Sequence, residues 1–566
     1  VTALNAATGT VVRTYRSTKR TAEIVARDGV LYLSVNQGTQ APGQREKKKP
    51  VEKRIMAVDA ATGDVLWKTD DYAGVSSSWD ERERIRRVCL RVGRDRVFFV
   101  DGSEVVAVSR DTGEELWRVE RPPHPPTKAQ FGYYAPNLFT LVYNNGVVLL
   151  VQPEPIKGHW PYRPHKAHIV ALSAAGGGKL WTRECYSWGY ASPPDVFVMD
   201  GRVWAHDAGQ SYSMMGLDLA SGAVEDRFST SEAFTMTHHH RCYRDKASSN
   251  YIMTARRGVE FLDVRTGKNL LHHWIRGTCR LGIVPANGLL YVPPHPCVCY
   301  MTAKLNGFYA LAPERDVTER LEQGEGETVL LKGPARDSGL GEASEDTAWP
   351  TYRHDTARSG YTPASVPADM ARKWETELPA SPSAATMAAG KVFVASVDSH
   401  AVYGLDAETG RQLWRYITGG RVDTPPTYYR GRLLFGCQDG WVYCLDAGDG
   451  TLAWRFRAAP MSRLVVDHGQ LTSAWALHGS VLIHQGTAYV CAGHSSFLDG
   501  GIYLYALDPR TGELLQEERI YSVRRETGDM ARSELAYDMP PEHPGALSDI
   551  LLADGNDIYM RHLQFE

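Results

Sequence analysis

The sequence predicts an all-β chain built as a propeller-like array of short, four-stranded blades. Three observations predict it. A motif recurs in which a small residue, an apolar residue and an Asp or similar residue precede a Thr-Gly turn, and a Trp follows a few residues later. The turn glycines fall about 40–60 residues apart through most of the chain, which is the period of a propeller blade. The stretches before each turn are short and β-prone, and almost no amphipathic helical period is present.

The clearest copies are Ala57 to Trp67, around Gly63, and Gly404 to Trp414, around Gly410. Others end at Trp117 after Gly113, at Trp181 after Gly177 and at Trp454 after Gly450. Weaker copies lack the Trp: Gly9 is followed by Arg13, Gly222 by Asp226, Gly267 by Leu271 and Gly512 by Gln516, and Ala310-Leu311-Ala312-Pro313 is degenerate. Runs such as Val30–Leu33, Val392–Ala395 and Leu433–Gly436 supply strands before the turns, and Trp441–Asp446 supplies the strand that follows one of them. Within the motif, Gly gives the turn a positive φ at little steric cost. The Asp carboxylate accepts from turn amides. The Trp buries a large apolar face while its indole N–H needs an acceptor. Trp67, Trp117, Trp181, Trp414 and Trp454, with Gly63, Gly113, Gly410 and Gly450, are therefore expected to be structural, docking one blade onto the next.

Composition excludes several classes. Lys plus Arg number 63 against 66 Asp plus Glu, a net charge of −3, so the chain lacks the basic footprint of a nucleic-acid binder. No apolar run approaches a membrane span, the longest lying near Val147–Val151. The 52 Gly and 31 Pro are spread along the chain, unlike collagen or low-complexity disorder. The chain opens on Val1 inside a repeat and is read as a piece of a longer protein. Residues 313–347 are polar and acidic and are expected to be a linker or long inter-blade loop. They would separate a first array at 1–312, truncated at its N-terminus, from a second at 348–566, truncated at its C-terminus. One propeller with extra blades is the alternative.

The repeats resemble the tryptophan-docking motif of quinoprotein-like β-propellers. That superfamily includes the pyrroloquinoline-quinone (PQQ) alcohol dehydrogenases and the non-catalytic propeller lipoprotein of the outer-membrane β-barrel assembly machinery. His239–Ala247, Pro294–Tyr300 and Trp349-Pro350-Thr351-Tyr352-Arg353-His354-Asp355 are further similar to large PQQ-binding-like propeller proteins of planctomycetes and related bacteria. The resemblance implies a quinoprotein-type propeller and export to the periplasm or cell surface. For the dehydrogenases it implies PQQ, sandwiched between a Trp and a disulfide of adjacent cysteines, and Ca²⁺ held by a carboxylate and an Asn, with an Asp as base. This sequence has no adjacent cysteine pair, since Cys297-Val298-Cys299 is one residue too long, and no position matches the Ca²⁺ ligands or the base.

Nine cysteines are present, an odd number. Cys242, Cys279, Cys297 and Cys299 lie close in sequence to His238, His239, His240, His272, His273 and His295. Three readings stay open. A zinc or copper site could use His240, Cys242, Cys279, His295, Cys297 and Cys299. Disulfides could brace neighbouring blades. The cysteines could also be free and buried among ordinary strand histidines. Arg241, Arg244, Lys246, Arg256, Arg257, Arg276 and Arg280 share the region and would suit a carboxylated or sulfated glycan, with Tyr243 and Arg244 as an acid/base pair. Loops Ala41–Lys53, Arg121–Pro136 and Pro153–His168 are long, and the latter two are ligand-contact candidates. Asp467-His468 and His494-Ser495-Ser496 read as isolated surface neighbours. No Walker-type loop, HExxH or GxSxG occurs. The expected function is a non-catalytic binding or scaffold propeller presenting loops to a protein or glycan. The alternatives are a metal-assisted carbohydrate-active enzyme using residues 238–300, and a PQQ- and Ca²⁺-dependent dehydrogenase.

Overall fold

The computed structural model describes all residues other than 38–51, 74–87, 123–138, 154–164, 188–193, 211, 235–242, 256–257, 273, 279–280, 295–304, 306, 314–328, 468, 523–544 and 566. The fold is all-β, made of antiparallel sheets of propeller-blade type; among the described residues helix is confined to single turns such as Ser231–Phe234. The chain forms two compact units, one of residues 1–298 with 306–312 and one of 299–305 with 313–566.

The first unit opens with the hairpin Thr2–Leu4 and Val11–Thr14. A four-stranded sheet follows, Thr21–Arg27, Val30–Asn36, Lys53–Asp59 and Val65–Tyr72. The next is Arg91–Val92, Arg96–Asp101, Glu104–Ser109 and Glu115–Glu120. Thr140–Asn144, Val147–Pro153, His165–Ser173 and Lys179–Ser187 form another, and Phe197–Met199, Arg202–Asp207, Ser213–Asp218 and Val224–Ser229 the one after it. These two join through Cys185 paired with Asp207 and Tyr186 with His206. Lys246–Ala247, Tyr251–Thr254, Val259–Asp263 and Asn269–His272 make a further sheet, and Val284–Ala286, Leu289–Val292 and Tyr309–Leu311 a three-stranded one.

The second unit holds the sheet Thr386–Ala388, Lys391–Ser396, Ala401–Asp406 and Gln412–Ile417. Next come Thr427–Tyr429, Arg432–Gly436, Trp441–Asp446 and Leu452–Arg457, to which Leu330–Lys332 adds a fifth, outer strand. Part of the segment expected as a linker or inter-blade loop is thus paired backbone. The hairpin Leu464–Asp467 and Gln470–Ser473 follows, then the four-stranded sheet Leu482–His484, Thr487–Ala492, Ile502–Leu507 and Leu514–Ile520, and Leu552–Asp554, Asp557–Met560 and Leu563–Phe565 close the described chain.

The core lies between the faces of successive sheets. Ile55, Ala57 and Trp67 of one sheet pack with Val97, Phe99, Val106 and Val108 of the next. In the second unit Phe456, Ala453 and Trp454 pack with Val490, Tyr503 and Tyr505. Middle strands are buried on both faces, as the run Val105–Val108 shows, so they read as continuous apolar stretches rather than alternating ones.

Each motif position has a visible cause. Asp406 Oδ1 accepts the amides of Glu408 at 3.1 Å and Thr409 at 2.8 Å, and the Gly410 amide returns to the Asp406 carbonyl at 2.9 Å. Asp59 does the same for Ala61 and Thr62. The small residue stands opposite the Trp: Ala57 pairs with Trp67, Ala107 with Trp117, Ala171 with Trp181, Gly404 with Trp414 and Cys444 with Trp454. A Cβ on Gly404 would meet Trp414 Cε2 at 2.3 Å. Just before each Trp the register slips, so that Leu405 pairs with Gln412 while Gly404 pairs with Trp414. The bulge leaves Leu413 as an extra residue on the outside.

The turn carboxylates make stability pH-dependent. The hydroxyl and amide of Thr409 hold Asp406 below the usual carboxylate range, the Ser221 hydroxyl and amide do so for Asp218, and the Thr62 amide does so for Asp59. The unfolded chain therefore binds more protons than the folded one in this range. The contribution is complete above about pH 4–5 and is lost as pH falls through the depressed folded values. Urea unfolding between about pH 2 and 6 is expected to show stability falling on acidification, with a shallower slope in a chain carrying Asp59→Asn, Asp218→Asn and Asp406→Asn. An unchanged slope would remove the turns from the acid response.

Candidate functional site

The Trp–Gly pairs connect neighbouring sheets within each unit. The Trp67 indole N–H donates to the Arg110 carbonyl at 2.7 Å, Trp117 to Ala174 at 3.0 Å and Trp181 to Leu219 at 3.0 Å. In the second unit Trp414 donates to Ala447 at 3.3 Å and Trp454 to Pro509 at 3.2 Å. Each acceptor lies in the turn of the following sheet, just before Gly113, Gly177, Gly222, Gly450 or Gly512, and each ring lies on that glycine. Gly63 and Gly410 receive different partners. Gly63 meets Arg13 and Tyr15, and the Tyr15 hydroxyl donates to the Ala60 carbonyl at 2.7 Å. Gly410 meets Trp374, which donates to Ala407 at 3.0 Å. Gly267 meets Phe228. In the copies read as lacking a docking Trp after Gly9 and Gly222, the aromatic two residues further along the strand occupies that place. A strand points residues i and i+2 to the same side, and that periodicity was the signal available in the sequence for Tyr15 and Phe228.

Tyr243 and Arg244 turn to separate partners. Tyr243 is fully buried; its hydroxyl donates to the Gly258 carbonyl at 3.3 Å and lies 3.5 Å from the Gly277 amide. Burial pushes its phenol well above the usual value. Arg244 Nε donates to Asp195 Oδ1 at 3.2 Å and Nη2 to Thr140 Oγ1 at 2.9 Å, while Asp195 Oδ2 accepts the Asp245 amide at 2.9 Å. This geometry ties the start of one sheet to the next.

The metal candidates His240, Cys242, Cys279, His295, Cys297 and Cys299 lie outside the described residues, as do His238, His239, His273, Arg241, Arg256, Arg257 and Arg280, together with most of the loops within 41–53, 121–136 and 153–168. His272 is described: it packs edge-on to Phe261 and Trp274, and burial lowers its pKa to about 4. Cys185, Cys437, Cys444 and Cys491 are buried free thiols, and burial raises the pKa of each. Among the described residues no three His, Cys, Asp or Glu side chains are placed to hold a metal ion.

A second cluster joins loops at one end of the second unit. The chain alternates direction in each sheet, so the links between sheets and the links between second and third strands share an end. Asp423 follows one sheet, Gln438 lies between two strands of the next, and His478 and His494 hold the corresponding places one sheet further on. His478 Nε2 and His494 Nδ1 are hydrogen-bonded at 2.9 Å, and His478 Nδ1 lies 4.0 Å from Asp423 Oδ2. Arg421 Nε donates to Asp423 Oδ1 at 3.2 Å, Gln438 Nε2 donates to Asp423 Oδ2, and Arg421 also pairs with Asp398 at 3.2 Å. Burial alone would raise the Asp423 pKa, but the nearby His478 and the charge of Arg421 outweigh it and hold the carboxyl below the usual carboxylate range. The surface reading of His494-Ser495-Ser496 is corrected here. Ser495 and Ser496 are fully buried, and Ser496 Oγ accepts the Ala546 amide at 2.8 Å. His468 lies outside the described residues.

Stacked four-stranded sheets with a Thr-Gly turn and a docked aromatic define a PQQ-like repeat propeller. Residues 1–133, 103–280 and 358–536 match the family of outer membrane protein assembly factor BamB, and the chain belongs to that family. A polyvinylalcohol dehydrogenase of a Pseudomonas species is 24% identical over 191 residues, 33% of this chain and 28% of that protein, so this chain spans well under half of that relative's length. Similar solved structures include BamB from Moraxella catarrhalis, 11% identical, covering 79% of this chain and 88% of that one, with a TM-score of 0.29. Another is quinohemoprotein alcohol dehydrogenase from Comamonas testosteroni, 12% identical, covering 83% and 69%, with a TM-score of 0.29. No described helix is long and apolar enough to cross a membrane.

Proposed function

We propose that this chain is a non-catalytic binding propeller, exported to the periplasm or cell surface, that presents loops to a protein partner. The observation that carries this reading is the match to an outer-membrane assembly factor across residues of both units. Two features support it. The acid/base candidate Tyr243 is sealed and bonded to backbone. The Asp423–His478–His494 network crosslinks loops of successive sheets, as a rigid scaffold beneath a contact surface requires. The docking aromatics serve the same end by fixing one blade against the next.

The test is side-specific. A photo-crosslinking residue placed at Asp398, exposed in the loop network, is expected to capture a discrete protein in cells of the source organism. The same group at Glu408, in the turn at the sheet's other end, is expected to capture none. Equal capture from both positions, or none from Asp398, would overturn the reading.

The 191-residue match to an alcohol-oxidising relative favours a second reading, alcohol oxidation. Reduction of a dye by the protein supplied with PQQ, Ca²⁺ and poly(vinyl alcohol) would establish it in place of the first.

A further inference from the structure

We infer that the second unit contains a binding site for a carboxylate, built from Arg358 and His354. The site stands apart from the loop network and holds or fails independently of it.

Residues 349–358 run across the strands that open three sheets. The Trp349 amide and carbonyl both pair with Met387 at 2.8 Å, the Pro350 carbonyl accepts from Tyr428 at 2.7 Å, and the Thr356 carbonyl accepts from Ala553 at 2.9 Å. Three non-glycine residues of this segment hold left-handed backbone: Arg353 at φ 55°, His354 at φ 80° and Arg358 at φ 57°. Such conformations persist where the surroundings over-determine them, and they concentrate at ligand sites.

Arg358 is 8% exposed. Its Nε donates to the Leu551 carbonyl at 3.0 Å, and its Nη1 donates to Thr351 Oγ1 at 2.8 Å and to the Tyr352 carbonyl at 3.1 Å. All three acceptors are neutral, and Nη2 is buried with no hydrogen-bond partner. Burial lowers the pKa of the guanidinium to about 10, which leaves it charged at neutral pH. The nearby carboxylate, Asp355, is occupied by the Ser359 amide at 2.9 Å and by the Ser359 hydroxyl. His354 lies edge-on to Trp349, its Nδ1 is 3.8 Å from Asp355 Oδ2, and its Nε2 is buried with no hydrogen-bond partner.

Both residues line a cleft of about 400 Å³ together with Asp355 and Arg430, and with Thr351, Tyr428, Tyr429 and Ile483 among its walls. That volume is within the range of small-ligand sites, which combine apolar walls with a few polar groups. Buried charges are ordinarily paired and their donors satisfied. Arg358 has a spare N–H and no hydrogen-bonded anion, and His354 adds a ring nitrogen. The missing partner is a single negative charge with an acceptor oxygen, attached to an apolar body that fills the cleft. A carboxylate supplies this, either as a free organic acid or as the C-terminus of a peptide.

The test uses the whole chain and calorimetric titration with four probes: benzoate, N-acetylphenylalanine, N-acetylphenylalanine amide and inorganic phosphate. At least one carboxylate is expected to bind saturably, and the amide at least about tenfold more weakly, because it lacks the charge-assisted bond. Binding by benzoate alone assigns a free acid, and binding by N-acetylphenylalanine as well assigns a peptide terminus. Arg358→Met and His354→Phe are each expected to weaken binding by about tenfold or more. Arg358→Met also cuts bonds that hold the segment, so His354→Phe, which keeps a ring beside Trp349, is the decisive variant once thermal melting shows it folded. The inference is overturned if neither carboxylate binds, if the amide or phosphate binds as well as the carboxylate, or if folded His354→Phe binds unchanged.

Discussion

Replacing Trp454 by Ala is expected to cost the second unit about 3–5 kcal/mol, the range for removing a large buried aromatic. The side chain is 1% exposed. It lies in a core shared by two sheets, with Phe456 on its own strand and Val490, Tyr503 and Tyr505 on the next. Its ring also covers Gly512, and its N–H is used by Pro509. Deleting it opens a cavity between blades and leaves the Pro509 carbonyl without that donor. Trp454→Phe keeps most of the apolar face and loses the hydrogen bond and part of the volume, so about 1–2 kcal/mol is expected. Urea unfolding, with hydrogen exchange over residues 427–520 to attribute the transition, measures both. A Trp454→Ala loss within about 1 kcal/mol of zero would mean that blade docking does not depend on this ring.

Gly113→Ala is expected to cost about 3 kcal/mol, from a positive φ that disfavours a side chain and from a clash that displaces a packed ring. Gly113 has φ 76°, and a Cβ there would lie 2.5 Å from Trp67 Cε3. Gly102, in the same sheet, has φ 54° but nothing within 4 Å of an added Cβ, so Gly102→Ala should cost about 1 kcal/mol from strain alone. The two effects separate in a double-mutant cycle. In a Trp67→Ala background the Gly113→Ala cost should fall to about that of Gly102→Ala, because the clash is gone and the strain remains. Additive costs would show that the turn glycine serves its own conformation and not the neighbouring blade.

These two experiments probe the part of the molecule most legible in the sequence. The turn Asp, the positive-φ Gly, the small residue opposite the Trp and the Trp itself lie within about a dozen residues of one another, so their spacing records one strand–turn–strand register. Tyr15 and Phe228 were less legible because they sit two places beyond the expected position. A strand returns to the same side every second residue, so the docking place can be filled from either position. Trp374 was missed because it precedes the first clear motif of its unit, where no turn of the same pattern announces it.

The candidate sites were legible only in fragments. Arg353-His354-Asp355 was singled out as a resemblance, yet the unpartnered donors of His354 and Arg358 depend on Leu551 and Tyr428, far away in the chain. His494 read as an isolated polar residue because its partner His478 comes from another loop, and His478 in turn lies beside Asp423, which accepts from Gln438 on a further loop. The sequence alone determined the all-β repeat and the turn chemistry, since these follow from short-range periodicity. The tertiary structure decided which carbonyl each indole meets, which polar side chains converge and which buried donors are left without a hydrogen-bond partner. Those outcomes depend on how successive sheets stack, and stacking brings together residues whose separation in the chain carries no period.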